Sequence, residues 1–345
     1  MRVLAMFHAY VPTHGAGAEG MAHGMLRHLV RQGHEVDVVL SKVDPTVPED
    51  YTFEGVRVHR YRGKTQVPEM LSTSNQAHVI VCHLENTPRA AILGKMFSVP
   101  VVQLLHNDRP ETMNSTIRYE FALLVANTEW MEREYTEFWT ESGIAQRARL
   151  IRIRPPVDPG EYALPLRTKP GKSVALLNLT VPKGAHTFYA LAERLPQYQF
   201  LGVKGAYGIQ TVRDDLPNVT IVDNVPSDQV TQRVYAQSRV VLMPSDYESY
   251  GRVAAEASCA GVPVIAHPTE GLREALGPAG LFHDRDDIDA WEHEVRRLFT
   301  PRGWSVSSAA AIEWSRQLDP SAELDLWHDA IREVASVSHS TRHHH

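Results

Sequence analysis

The sequence predicts an α/β protein made of two doubly wound, Rossmann-like domains, and three observations carry that prediction. Short apolar runs with β-branched centres alternate with longer segments of helical spacing along the whole chain, the pattern of parallel sheets covered by helices. A length of 345 residues suits two domains, each large enough to bury its own core. Near the middle, Pro155, Pro156, Pro159, Pro165 and Pro170 fall close together with Gly160 and Gly171, and such a stretch interrupts regular structure.

In chain order, strands are expected near 2–7, 35–40, 78–82, 100–105, 121–126 and 149–153, with helices between them, notably at 19–32 and 128–139. The proline-rich segment is read as a linker, 156–172. A second alternation follows, with strands near 173–178, 198–203, 219–222, 239–243 and 263–266. From Asp284 onward the pattern is helical, since Ile288, Trp291, Val295 and Leu298 recur at helical spacing. This gives a first domain over 1–155, a second over 173–303, and terminal helices over 304–340 expected to pack back toward the first domain. Trp304, Trp314 and Trp327 serve that packing. Ligands in such sheets bind beyond the carboxyl ends of the strands, so a site is expected in the cleft that those ends face.

Composition narrows the function. A hydrophobic fraction of 43% and a charged fraction of 22% are ordinary for a soluble globular protein. The formal charge, 35 − 41 = −6, provides no broad footprint for nucleic acid. The run Arg149, Arg152 and Arg154, with Arg147 before it, is read as an outward-facing edge, although it leaves peripheral membrane contact open. Cys82 and Cys259 sit in apolar surroundings, which suits buried thiols in a reducing, cytoplasmic setting. No Cys/His spacing proposes zinc, no run approaches a membrane span, and Met1–Phe7 is too short for a signal peptide. His343 to His345 read as a tag remnant.

The most informative stretch runs from Pro244 to Glu256. A strand-like run ends at Met243, Pro244 stops it, and good helix formers follow from Tyr250 until Gly261. Glu248 then occupies a strand-to-helix turn and Glu256 lies roughly 12 Å further along the helix, at ~1.5 Å per residue. Between them is a helix N-terminus, whose free N–H groups and dipole favour a phosphate. Two hydroxyl-binding carboxylates flanking a phosphate site describe a sugar nucleotide.

These residues resemble the family 4 retaining glycosyltransferases of GT-B fold. The resemblance rests on Pro244-Ser245, Glu248, Tyr250-Gly251, Glu256-Ala257 and Gly261-Val262-Pro263-Val264. It implies that Glu248 contacts donor-sugar hydroxyls, Glu256 the ribose hydroxyls, and that Ser249, Tyr250 and Gly251 line the donor loop. The family carries Gly-Arg at the first strand end of its second domain and Lys-Gly beyond it, two bases clamping the diphosphate. Here Lys183-Gly184 matches, but Asn178 stands where the arginine would be. Lys204 and Arg252 are candidate substitutes. Gly271 and Glu274 match the family's Gly-x-x-Glu turn, with Gly271 placed to approach the donor.

In the first domain, Gly15-Ala16-Gly17-Ala18-Glu19-Gly20 spells a dinucleotide fingerprint, with Asp37 or Asp44 as a loose acidic partner. Seven residues separate it from the strand, and the resemblance explains it better: Gly15 and Gly17 bring backbone to the diphosphate or acceptor, and Glu19 opens the helix. The resemblance also places His106 near the reacting sugar. His8 and His83 end strands on the same side. His8, Glu85, Asn107 and Asp108 are acceptor candidates, with Asn86 beside them.

The function expected is transfer of a sugar from a nucleoside-diphosphate sugar, UDP or GDP, to a hydroxyl acceptor, with retention and by front-face substitution. His106, Lys183 and Glu248 are the catalytic candidates. No metal and no tightly bound cofactor are expected; Asp284-Arg285-Asp286 opens a late helix away from the donor pocket. Alternatives are a sugar-nucleotide 2-epimerase, a nicotinamide-dependent oxidoreductase built on Gly15 to Gly20, and a non-catalytic sugar-nucleotide binder suggested by Asn178.

Overall fold

The structure is a computed structural model that describes residues 1–42, 47, 49–72, 77–144, 148–165 and 170–342, with backbone alone for 337–342. Asp44, Arg147 and His343 to His345, on which sequence expectations fell, lie outside the described residues. The chain forms two compact units. One comprises Met1–His14, Ala18–Pro156 and the segment from Pro320; the other comprises Gly15–Gly17 and Val157–Asp319.

The first unit is an eight-stranded sheet. Its strands in chain order are β1 (Arg2–Phe7), β2 (Glu35–Leu40), β3 (Tyr51–Phe53), β4 (Val56–His59), β5 (Val79–His83), β6 (Val101–Leu105), β7 (Leu123–Ala126) and β8 (Arg149–Arg152). The spatial order is β3-β4-β2-β1-β5-β6-β7-β8, parallel except for the β3–β4 pair. Period-two alternation divides β1 cleanly: Val3, Ala5 and Phe7 enter one core, while Leu4 and Met6 enter the core on the opposite face. The β3–β4 hairpin was not anticipated. Each strand is too short to show a period, and Gly55 supplies the positive φ of their turn.

The second unit is a six-stranded, wholly parallel sheet. Its strands are β9 (Ser173–Leu177), β10 (Gln199–Val203), β11 (Val219–Val222), β12 (Ser238–Met243), β13 (Val264–Ala266) and β14 (Leu281–Phe282), in the order β11-β10-β9-β12-β13-β14. In both sheets the order of strand addition reverses beside the first strand, between β1 and β5 and between β9 and β12. Those are the switch points at which doubly wound sheets leave an opening for ligand.

Two boundaries differ from expectation. Residues 304–319 belong to the second unit: Trp314 donates to the Ala275 carbonyl at 2.7 Å, and Trp304 donates to that of Arg239 at 3.1 Å. The terminal helix Ser321–Arg342 belongs to the first unit. Its Trp327 is fully buried and donates to the Met25 carbonyl at 3.1 Å. The segment read as linker is partly core, since Val157 and Tyr162 are buried in the second unit. Proline content hid this, because Pro159 starts a four-residue helix capped by Asp158.

Two charge-bearing segments are settled by ion pairing. Arg149 meets Glu333, Arg152 meets Glu129 and Glu132, and Arg154 meets Glu323. Asp37, the proposed acidic partner of a dinucleotide fingerprint, is 1% exposed and bound by Arg2, Arg57 and His59. It is therefore occupied by the protein's own cations. Among the described residues, no helix is long and apolar enough to cross a membrane.

Candidate functional site

In the second unit the candidates gather at the carboxyl ends of β9 and β12. After β9, Val181–Lys183 form one tight turn and Gly184 turns the backbone into the helix Ala185–Arg194 with φ +88°. After β12, Pro244 and Ser245 lead to Glu248. Lys183 Nζ donates to Glu248 Oε1 at 2.5 Å, and Ser245 Oγ donates to the same oxygen at 3.0 Å. Burial opposes the charge on Lys183, but the Glu248 carboxylate outweighs it and raises the lysine pKa. The expected diphosphate cation and the expected sugar-binding carboxylate are thus partners before any ligand arrives.

The loop carrying Glu248 is held from below. Gly271, which opens the helix Glu270–Leu276 behind the cap Thr269, lies against it. A Cβ there would come within 2.3 Å of the Glu248 carbonyl oxygen and 2.6 Å of the Tyr250 nitrogen. The glycine expected to approach a donor instead approaches this backbone. Ser249 and Tyr250 complete the turn, Tyr250 being buried in the core, and Gly251 enters the helix Arg252–Cys259 with φ +94°.

Glu256 is 8% exposed and lies within a network that the sequence did not reveal. Arg252 donates to Glu256 Oε1 through Nε at 3.1 Å and Nη2 at 2.9 Å. Tyr162 donates to that oxygen at 3.2 Å, and Tyr235 donates to Oε2 at 2.8 Å. Arg252 Nη2 also donates to the Tyr162 hydroxyl at 3.0 Å. Arg252 is therefore the counter-charge of Glu256. The i,i+4 spacing could have signalled the pair; the tyrosines come from distant segments and could not be foreseen.

Asn178 adopts a left-handed backbone with φ +71° and accepts from Gln210 Nε2 at 3.1 Å. The Gln210 side-chain oxygen Oε1 in turn accepts from the backbone nitrogens of Leu179 at 2.9 Å and Gly205 at 2.8 Å. Lys204 is directed to Asp223 at 2.8 Å on the surface. Another cation, Arg285, reaches this neighbourhood: it donates to the Val181 carbonyl at 3.3 Å and lies 3.5 Å from Asp246. The segment Asp284-Arg285-Asp286 is thus beside the Lys183 turn, contrary to expectation. The short β14 that positions it was not recognised in the sequence.

In the first unit, the central strands β1, β5 and β6 each end in or run into a histidine. The His8 and His83 ring centroids are 5.8 Å apart, and those of His83 and His106 are 5.0 Å apart. His83 and His106 are buried, and burial lowers both imidazoles, His106 to about 4. Both His83 nitrogens and His106 Nε2 have no hydrogen-bond partner among the described residues. Such neutral, underemployed groups suit a hydroxyl-rich ligand. Glu85 pairs with Lys42 at 2.6 Å and lies 3.9 Å from His8. Asn107 caps its own turn, accepting from the Arg109 nitrogen at 3.1 Å, and its carbonyl accepts from Tyr135 at 2.7 Å. Asp108 is half-buried beside it. Glu19 is buried, and burial pushes its carboxyl up to about 7.

A Cβ at Gly15 or Gly17 would meet no atom within 4 Å, and neither residue has positive φ. The protein's own packing does not require glycine there.

The fold, two Rossmann-like α/β domains with parallel sheets, is of GT-B type. Residues 16–153 match the family described as "Glycosyl transferase 4-like domain", and residues 185–300 match "Glycosyl transferases group 1". The chain thus carries a glycosyltransferase 4-like domain in its first half and a group 1 glycosyltransferase domain in its second. It is similar to sucrose-phosphate synthase from Thermosynechococcus elongatus, with TM-score 0.77 and 18% identity over 98% of this chain and 100% of that one. It is similar also to Anabaena Alr3699/HepE in complex with UDP-glucose, with TM-score 0.73 and 17% identity over 98% and 100%. At these identities the likeness establishes the fold. A D-inositol 3-phosphate glycosyltransferase of Mycobacterium sp. (strain KMS) is 39% identical over 83 residues, which span 24% of this chain and 19% of that relative.

Proposed function

We propose that the chain is a metal-independent retaining glycosyltransferase that moves a sugar from a nucleoside-diphosphate sugar to a hydroxyl acceptor. The observation that carries this is the Lys183–Glu248–Ser245 cluster at the switch point of the second sheet, beside the N-terminus of the helix Arg252–Cys259. A diphosphate there meets Lys183 and the free N–H groups of that helix. Glu248 accepts from sugar hydroxyls, and Glu256, assigned to the ribose, does so with a carboxylate that also accepts from Arg252, Tyr162 and Tyr235. Arg285 is a further cation for the departing phosphate, in the role left open by Asn178.

In the front-face reaction, the bond from the anomeric carbon to the phosphate oxygen breaks as the acceptor oxygen attacks from the same side. The phosphate oxygen that departs takes the acceptor proton, and Lys183 meets the growing negative charge. His106, held neutral by burial, is an acceptor-side and transition-state contact; His8, Glu85, Asn107 and Asp108 contact the acceptor. Gly15 and Gly17 leave backbone open to ligand. A UDP donor is favoured by the UDP-glucose named with the Anabaena neighbour.

The test is turnover with UDP, GDP, ADP and dTDP sugars, with and without EDTA, alongside thermal shift with the same compounds and a nicotinamide cofactor. A sugar nucleotide should raise the melting temperature and be consumed equally in EDTA. Stabilisation by the nicotinamide cofactor alone, or turnover that is lost in EDTA and restored by manganese, would overturn the proposal.

A further inference from the structure

His8, His14 and Glu19 converge in the first unit. One ligand-type atom from each lies within 4.8 Å of the others. His8 Nε2 is 3.4 Å from Glu19 Oε1. Two ligands on bonds of about 2.0–2.1 Å to one tetrahedral ion lie roughly 3.4 Å apart, so this pair already has the spacing of a shared metal. The three residues come from the end of β1, from the turn that closes when His14 N donates to the Tyr10 carbonyl at 3.0 Å, and from the first turn of the helix Gly17–Arg31.

A second observation concerns the far side of His8. Its Nδ1 is buried, has no hydrogen-bond partner among the described residues, and faces Glu85 Oε2 at 3.9 Å. A carboxylate behind a ligating imidazole is the usual device that orients the ring and raises its basicity toward a metal. Lys42 holds Glu85 in place at 2.6 Å. Glu19 is 2% exposed, and among the described residues its ion-pair partner is His8. A buried carboxylate with two imidazoles whose ligand atoms lie within 4.8 Å of one another is a donor set of the kind that binds a cation.

We propose that His8, His14 and Glu19 of the first unit bind a divalent transition-metal ion of zinc's class. Two imidazoles and one carboxylate select zinc-like ions over magnesium and calcium, which favour all-oxygen sites. Because His8 and Glu85 are also acceptor contacts in the proposed function, a bound ion excludes the acceptor and inhibits transfer. That consequence rests on the proposed function; the binding itself does not.

The test is calorimetric titration with Zn2+ of the 345-residue chain carrying His343→Ser, His344→Ser and His345→Ser, so that these histidines cannot chelate. The parent should bind one equivalent, unaffected by excess Mg2+. His14→Ala and Glu19→Gln should each weaken binding at least about 10-fold. Co2+ in place of Zn2+ should give an intense visible band in the parent that both variants lose. His14 lies in a partly exposed turn, so its variant decides the matter even if Glu19→Gln perturbs folding. Absence of a saturable one-equivalent site in the parent, or unchanged affinity in His14→Ala, overturns the proposal whether or not the protein transfers sugar.

Discussion

Glu248→Gln and Lys183→Ala should act on free nucleotide in different directions, because the two side chains are bound to each other in the absence of ligand. Their side chains are 15% and 21% exposed, so the pair is neither fully solvated nor dry. At an effective dielectric near 20, unit charges about 4 Å apart attract by roughly 4 kcal/mol, and desolvation offsets much of that. What remains for a charge-assisted hydrogen bond is about 1.5–3 kcal/mol. A diphosphate that takes Lys183 must compete with Glu248 for it. Lys183→Ala removes the contact and should weaken free nucleoside diphosphate by about 10- to 100-fold. Glu248→Gln removes the competitor, so free nucleotide should bind as in the wild type or up to about 10-fold more tightly. Turnover of the sugar donor should nevertheless fall in both, since Glu248 is assigned to the sugar and Lys183 to charge that grows in the transition state. Calorimetry with UDP and GDP, paired with steady-state rates, measures both. If Glu248→Gln weakens free nucleotide as much as Lys183→Ala does, the division of roles is wrong.

Three further outcomes follow from packing and charge. Arg252→Met strands a buried carboxylate and should cost about 3–5 kcal/mol in thermal or urea unfolding, whereas Arg252→Met with Glu256→Leu should recover much of it; equal losses in the two would show that the pair is not coupled. Asp37→Asn should destabilise most between about pH 5 and 6.5. The Asp37 pKa is depressed, burial being outweighed by His59, Arg57 and Arg2, so its contribution vanishes as pH falls below the ordinary carboxylate range. The His59 pKa is raised by Asp37, so its share is lost as pH rises through that elevated value, leaving the arginine contacts; a difference in melting temperature independent of pH would contradict this. Gly271→Ala must displace the Glu248 loop and should lower both melting temperature and turnover, whereas Gly17→Ala, with open space around it, should keep the melting temperature; identical melting temperatures in the two would refute the packing argument.

Sequence alone determined the class of fold and the cores of its strands. Burial on both faces of a parallel sheet demands continuous apolar runs, and Val79–His83, Val101–Leu105 and Ser238–Met243 carry that demand in their own residues. The turn from Pro244 to Gly251 was legible for the same reason: proline, glycine and helix formers act locally. Partnership across the chain was decided by tertiary structure. Nothing local to Lys183 says that it meets Glu248, since the two are brought together by β9 and β12 becoming neighbours. The network around Glu256 draws Tyr162 from a segment whose prolines resembled a linker, and Arg285 depends on a strand of two residues. His8, His83 and His106 stand in a row because β1, β5 and β6 are adjacent in a sheet whose order differs from chain order. Side-chain chemistry is written along the sequence, but which groups share a charge, a proton or a ligand depends on strand order, and strand order is fixed by how the apolar faces of the whole chain are buried together.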